Sequence, residues 1–132
     1  MALRWYTTVI DCHDIAAQAR WWADVLDWQL IYEDADEVVI IPKDAPTGTL
    51  TADQWTGVGP GLVFVPVGES KQIKNRLHID LAPHVTDDRD ALIADLIDKG
   101  ASRVDIGQGD VTWTVLADPE GNEFCVLSAR ER

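Results

Sequence analysis

One succession of signals runs through the chain twice: strand, capped helix, hairpin, strand. Residues 5–12 (WYTTVIDC) are β-branched and aromatic and read as a strand. Asp14 stands where an N-cap is wanted, its carboxylate accepting amide hydrogens in the first turn of a helix over residues 15–26. Along that helix Ala16, Ala19, Trp22, Ala23 and Leu26 recur at helical spacing. Residues 28–32 (WQLIY) and 38–41 (VVII) flank an acidic turn and read as a hairpin. Residues 42–60 are punctuated by Pro and Gly and read as loop, and residues 61–67 (GLVFVPV) return to strand.

The second passage repeats the order. Residues 76–81 (RLHIDL) read as a strand, and Thr86 or Asp87 is placed to cap a helix over residues 88–99. Leu92, Leu96 and Ile97 form that helix's apolar face, and Gly100 sits where a left-handed residue ends it. Strands are expected over 102–106 and 112–116, then a turn at Asp118-Pro119-Glu120-Gly121-Asn122, then a strand over 123–127 (EFCVL). Val9-Ile10-Asp11-Cys12 matches His78-Ile79-Asp80-Leu81, and Leu62-Val63-Phe64-Val65 matches Asn122-Glu123-Phe124-Cys125. The expectation is an α+β fold in one domain over residues 1–132. Two tandem βαβββ halves, 3–67 and 75–129, would form a curved mixed sheet around a cleft, with the helices on the outer face.

Composition narrows the class of partner. Eleven basic against 23 acidic residues give a formal net charge of −12. Such a field repels phosphate backbones and anionic lipid, so neither nucleic acid nor a membrane surface is expected as partner. No apolar run reaches the length of a membrane span, and residues 1–6 show no basic region followed by an apolar run. A cytoplasmic protein is the expectation. Cys12 and Cys125 lie far apart in apolar contexts and read as small core residues. Most of the six tryptophans read as core, while one or two exposed in a cleft would stack on a flat ligand. No phosphate-binding glycine loop, GxSxG, HExxH or paired-cysteine zinc spacing is present.

Three stretches carry a resemblance: residues 14–28 with Trp21-Trp22 and Leu26-Asp27-Trp28, residues 74–81 (KNRLHIDL), and residues 116–127 (LADPEGNEFCVL). Together they resemble the glyoxalase / bleomycin-resistance / dioxygenase superfamily of the vicinal oxygen chelate fold. Within it they are similar to a glyoxalase-like subgroup frequent in actinobacteria. The resemblance implies a homodimer, through the helices or by exchange of halves. It also implies, for metal-dependent members, four ligands from the first and last strands of each half. On this chain the second half supplies His78 and Glu123, whereas the matching first-half positions hold Val9 and Val63, which cannot bind a metal. A divalent metal on His78 and Glu123 would be an incomplete set. If the alignment is one residue out of phase, Asp11 becomes the replacement ligand, although its repetition as Asp80 favours a structural role.

His78 and Glu123 have two further readings: a metal-free acid–base pair, or two groups that hydrogen-bond each other. The cleft would be walled by Val9, Val63, Val65, Trp113 and Cys125, with Asp11 and Asp80 beside them. Lys74, Asn75 and Arg76 would make a local anion site or a solvated join, Arg76 lying nearest the cleft. Trp113 would stack on the ligand, and Phe64 would pack under the helices. The leading expectation is a small-molecule-binding protein without a complete metal site or other assigned cofactor. The rival is a lyase or isomerase that uses His78 and Glu123 as catalytic pair or metal ligands.

Overall fold

In the computed structural model the structure describes residues 3–131. Met1 and Ala2, at the start of the stretch read for a leader, and Arg132, at the end of the 1–132 span, lie outside the described residues. The chain divides into two compact units between Glu69 and Ser70. Each has the element order β-α-β-β-β, so the fold is α+β.

In the first unit β1 (Thr7–Cys12), α1 (Ile15–Leu26), β2 (Trp28–Glu33), β3 (Val38–Pro42) and β4 (Gly61–Pro66) build a four-stranded mixed sheet in the order β1-β4-β3-β2. β1 pairs parallel with β4, and the other pairings are antiparallel. Trp5 and Tyr6 precede the strand rather than opening it, and both are exposed. Arg4 instead lies over the rings of Tyr6 and Trp55, 5.0 and 4.9 Å from their centroids. Gly61 opens β4 beside the backbone of Ile40, where a Cβ would come within 2.9 Å of the Ile40 carbonyl oxygen.

The α1 cap is as the sequence predicts, Asp14 Oδ1 accepting from the Ala17 amide at 3.1 Å. The buried stripe differs from the expected one. Ile15, Gln18, Ala19 and Trp22 are buried, while Ala16, Ala23 and Leu26 are only half-buried. Spacing i, i+3, i+4, i+7 is kept, but it starts one residue earlier and admits a glutamine that hydropathy alone discards. Beneath the stripe the sheet supplies Val38, Ile40, Leu62 and Phe64, all buried. Trp22 is buried and meets Trp21 edge-to-face at 5.1 Å.

Asp27 ends α1 in the left-handed region (φ 53°, ψ 46°), its amide donating to the Ala23 and Asp24 carbonyls. Glycine adopts this conformation without the Cβ penalty. Asp27→Gly is therefore expected to stabilise the protein by about 0.5–1 kcal/mol, read as a higher midpoint in urea. The pair lost with it, Asp27 to Lys43 at 3.5 Å, is exposed and contributes little.

The second unit contains β5 (Ile79–Leu81), α2 (Arg89–Asp98), β6 (Ser102–Arg103), β7 (Thr114–Ala117) and β8 (Glu123–Val126), with sheet order β5-β8-β7-β6. The pairing of the first unit recurs residue for residue. Ile10 opposite Phe64 becomes Ile79 opposite Phe124, and Asp11 opposite Val65 becomes Asp80 opposite Cys125.

Several expected boundaries are corrected here. β5 is three residues long, so Arg76 and His78 precede it and owe their positions to no strand alternation. β6 is two residues long, and Trp113 precedes β7 in a bend. Asp88, not Thr86 or Asp87, caps α2, its Oδ1 accepting from the Ala91 amide at 3.1 Å. Thr86 and Asp87 are engaged one turn earlier with His84, through its Nδ1 and its backbone amide. Ile93 and Leu96 form the buried face of α2, whereas Leu92 is exposed and Ile97 half-buried. Among the described residues no helix is long and apolar enough to cross a membrane.

Candidate functional site

The two faces of the second sheet differ. Arg89, the first residue of α2, donates from Nη2 to Thr114 Oγ1 at 3.0 Å. Thr114 alternates in phase with Leu116, which opposes Phe124, so α2 covers the Leu116–Phe124 face. Asp80, Cys125 and Val115 are successive partners across β5, β8 and β7, and they form a row on the opposite face. At one end of that row lie His78 and Asp80, with His78 Nε2 at 3.2 Å from Asp80 Oδ1. One donor atom each from His78, Asp80 and Cys125 fall within 4.8 Å of one another. At the other end Val115 and Trp113 line an open cavity of about 540 Å³ with Arg103, Gln108 and Asp110. Trp113 is 40% exposed there.

Cys125 is buried, as expected of a small core residue. Burial pushes its thiol above the ordinary range, and the charge and hydrogen bond of Asp80 push the same way, with Lys74 opposing. The thiol is therefore a poor nucleophile by itself. His78 comes within 4.8 Å of Cys125, because the parallel β5–β8 register carries the segment before Ile79 alongside β8. In the sequence the signal for this meeting is the shared phase of Asp80 and Cys125, which the matched pair His78 and Glu123 does not use.

Glu123 has a different set of partners. Its Oε1 accepts from Lys71 Nζ at 2.8 Å and its Oε2 from the Asn75 amide at 3.2 Å. Burial raises the Glu123 carboxyl. The Lys71 hydrogen bond and charge and two backbone amides more than offset that, so it lies below the usual carboxylate range. Lys71 also donates to the Ile73 carbonyl. Residues 71–75 thus bring Lys71 Nζ and the Asn75 amide onto the protein's own carboxylate, which is the anion this polar join receives, while Arg76 is exposed. His78 is paired with Asp80, and Glu123 with Lys71 and Asn75, so the geometry does not join His78 to Glu123.

In the first unit Val9 and Asp11 share one face of β1 with Val63 and Val65 opposite them on β4. Val9 is 56% exposed, Asp11 is exposed, Val65 half-buried and Val63 buried. Phe64, in the opposite phase, is buried on the α1 side. Val9 and Val63 offer no donor, and Glu123 already spends both carboxylate oxygens on Lys71 and Asn75. The four-ligand set of the metal-dependent relatives does not fit these residues.

Solved structures share the fold. A glyoxalase/bleomycin resistance protein/dioxygenase family enzyme from Burkholderia phytofirmans PsJN is 17% identical, with 97% of this chain and 100% of that chain covered at a TM-score of 0.68. The fosfomycin resistance protein FosX from Mesorhizobium loti is 13% identical over 98% and 95% of the two chains, TM-score 0.65. FosX from Listeria monocytogenes, solved with Mn(II) and sulfate, is 13% identical over 98% and 93%, TM-score 0.66. At such identities the likeness speaks for the fold alone. Among proteins of curated function none matches the sequence. The glyoxalase-like domain family matches residues 7–127, nearly the whole chain. With the repeated βαβββ units and their shared strand register, this chain belongs to the glyoxalase-like domain family.

Proposed function

We propose that the protein binds a small molecule on the helix-free face of its second sheet. One observation carries this reading: the polar cluster of His78, Asp80 and Cys125 and a cavity holding a half-exposed tryptophan stand at the two ends of the Asp80–Cys125–Val115 row, Val115 lining the cavity. A cavity of about 540 Å³ lies within the range of ligand pockets, roughly 300–1,000 Å³. Trp113 offers a stacking surface for a flat apolar body, with Arg103 and Asp110 at the rim for polar substituents. His78 and Asp80 orient a polar head. The family's four-donor metal set takes no part. On the family resemblance alone, the reading extends to a homodimer working in the cytoplasm.

A ligand of this kind should stabilise the folded chain by about 2.7 kcal/mol at a concentration one hundred times its Kd. Thermal-shift screening of flat, polar-substituted compounds is expected to find ligands whose affinity falls about tenfold in Trp113→Ala. Stabilisation untouched by both Trp113→Ala and His78→Ala would exclude this face.

The His78–Asp80 pair supports a second reading, a lyase or isomerase with an imidazole held by a carboxylate. It places Asp80, not Glu123, beside the imidazole. An enzyme of this kind should keep ligand affinity in His78→Ala while losing turnover, whereas a binding protein should lose affinity alone.

A further inference from the structure

Arg4 differs from the other cations in what surrounds it. Among the described residues Arg4 and Arg89 are the half-buried arginines. Arg89 directs its guanidinium at three oxygens. Arg4 pairs with no carboxylate among the described residues, although acidic residues outnumber basic ones by 23 to 11. Its Nε is buried and has no acceptor among them either. A donor hidden from water without an acceptor destabilises the fold, and aromatic rings over a guanidinium offset only part of that cost.

The rings beside Arg4 are held in place by the chain's own hydrogen bonds. The guanidinium carbon lies over Tyr6 at 5.0 Å and over Trp55 at 4.9 Å from the ring centroids. The Tyr6 carbonyl accepts from the Gly61 amide at 3.2 Å, which fastens this segment where β4 opens. Trp55 begins a short helical turn, Trp55–Gly57, in the 42–60 loop. There Gln54 Oε1 accepts from the Thr51 amide and hydroxyl at 3.0 and 3.2 Å, and the Gly57 amide donates to the Gln54 carbonyl at 3.1 Å. All of these residues belong to the first unit. Rings over the faces of a guanidinium leave its in-plane N–H groups to receive an acceptor, and two such groups side by side match the two oxygens of a carboxylate.

We propose that Arg4, Tyr6 and Trp55 form a binding site for a small organic carboxylate with a flat apolar body. The guanidinium edge donates to the carboxylate oxygens, and the body lies against the ring of Tyr6, which is 65% exposed. The ligand supplies the negative charge that the protein does not place beside this cation. Inorganic phosphate is tetrahedral and more highly charged, so it fits the planar fork less well and is repelled more strongly by a chain of net charge −12. The inference goes beyond the ligand-binding reading of the second sheet and does not depend on it.

Benzoate is the probe, titrated into the purified full-length chain at constant ionic strength while the Arg4 Nε–H and the tryptophan indole N–H signals are followed by NMR. Saturable shifts are expected at Arg4 and at the Trp55 indole, with the Trp113 indole unmoved. Arg4→Gln should weaken benzoate binding about tenfold or more, as the loss of a charge-assisted pair implies. Arg4→Lys keeps the charge without the fork and should weaken it severalfold. Arg4 lies outside every strand and helix, so both variants leave the core in place. Trp55→Leu should also weaken binding while the guanidinium remains. Benzoate that shifts neither the Arg4 nor the Trp55 signal would overturn the proposal, as would equal affinity in the parent and Arg4→Gln. Phosphate bound as tightly as benzoate would overturn it too. Ligands whose affinity falls in Trp113→Ala report on the second sheet, so either idea can fail while the other stands.

Discussion

Replacing Phe124 by alanine should cost about 3–5 kcal/mol of stability, read as a lowered urea midpoint with an unchanged m-value. Phe124 is fully buried on the α2 side of its sheet, between Ile79 on β5 and Leu116 on β7. Removing its ring leaves a cavity that neither ladder can close, because both strands are held in register on either side. Folded domains are stable by only about 5–15 kcal/mol, so the loss is a large share of the total. Phe64 occupies the same register position in the first unit, opposite Ile10 and Val38, and is equally buried. Phe64→Ala should therefore cost a similar amount. A much smaller loss at either position would mean that its unit can collapse around the gap.

Arg89→Met should cost about 2–4 kcal/mol although it keeps the aliphatic stem. The guanidinium donates from Nε to the Leu127 carbonyl at 2.8 Å, and from Nη2 to the Val126 carbonyl at 2.8 Å and to Thr114 Oγ1 at 3.0 Å. One side chain thereby ties the start of α2 to the end of β8 and the start of β7. The two carbonyls lie where the ladder of β8 runs out, and methionine offers them no donor. Hydrogen exchange should show the loss at β7 and β8 before it reaches the first unit. Uniform loss of protection in both units would refute the clamp.

The fold was legible in the sequence because its signals are local. The Asp14 cap, the Asp118–Asn122 turn and the alternation on β4 and β8 each depend on a few neighbouring residues. In that turn Asp118 Oδ1 accepts from the Glu120 and Asn122 amides, with Gly121 at φ 89°. Matching the halves even anticipated the strand register. Misjudged positions were those set by tertiary partners. Gln18 joined a buried stripe that hydropathy denied it, and Arg89 took its role from carbonyls near the far end of the chain. Glu123 was legible as an inward carboxylate. Its capture by Lys71 and the Asn75 amide depended on the path of the 71–75 segment, for which no periodicity exists. His78, Asp80 and Cys125 were each singled out, but their meeting depends on how far the segment before β5 runs beside β8.

The parallel pairing of β5 with β8 also bears on how this site comes into being. Hairpin contacts such as those of β7 and β8 close short loops, whereas β5 and β8 are separated by α2, β6, β7 and every turn between them. Closing so long a loop costs more chain entropy than closing a hairpin. Asp80 and Cys125 face each other only across that pairing. A chain with its helix and hairpin in place would still present the carboxylate and the thiol on separate segments, so the chemistry of this face rests on one long-range pairing and on no local structure.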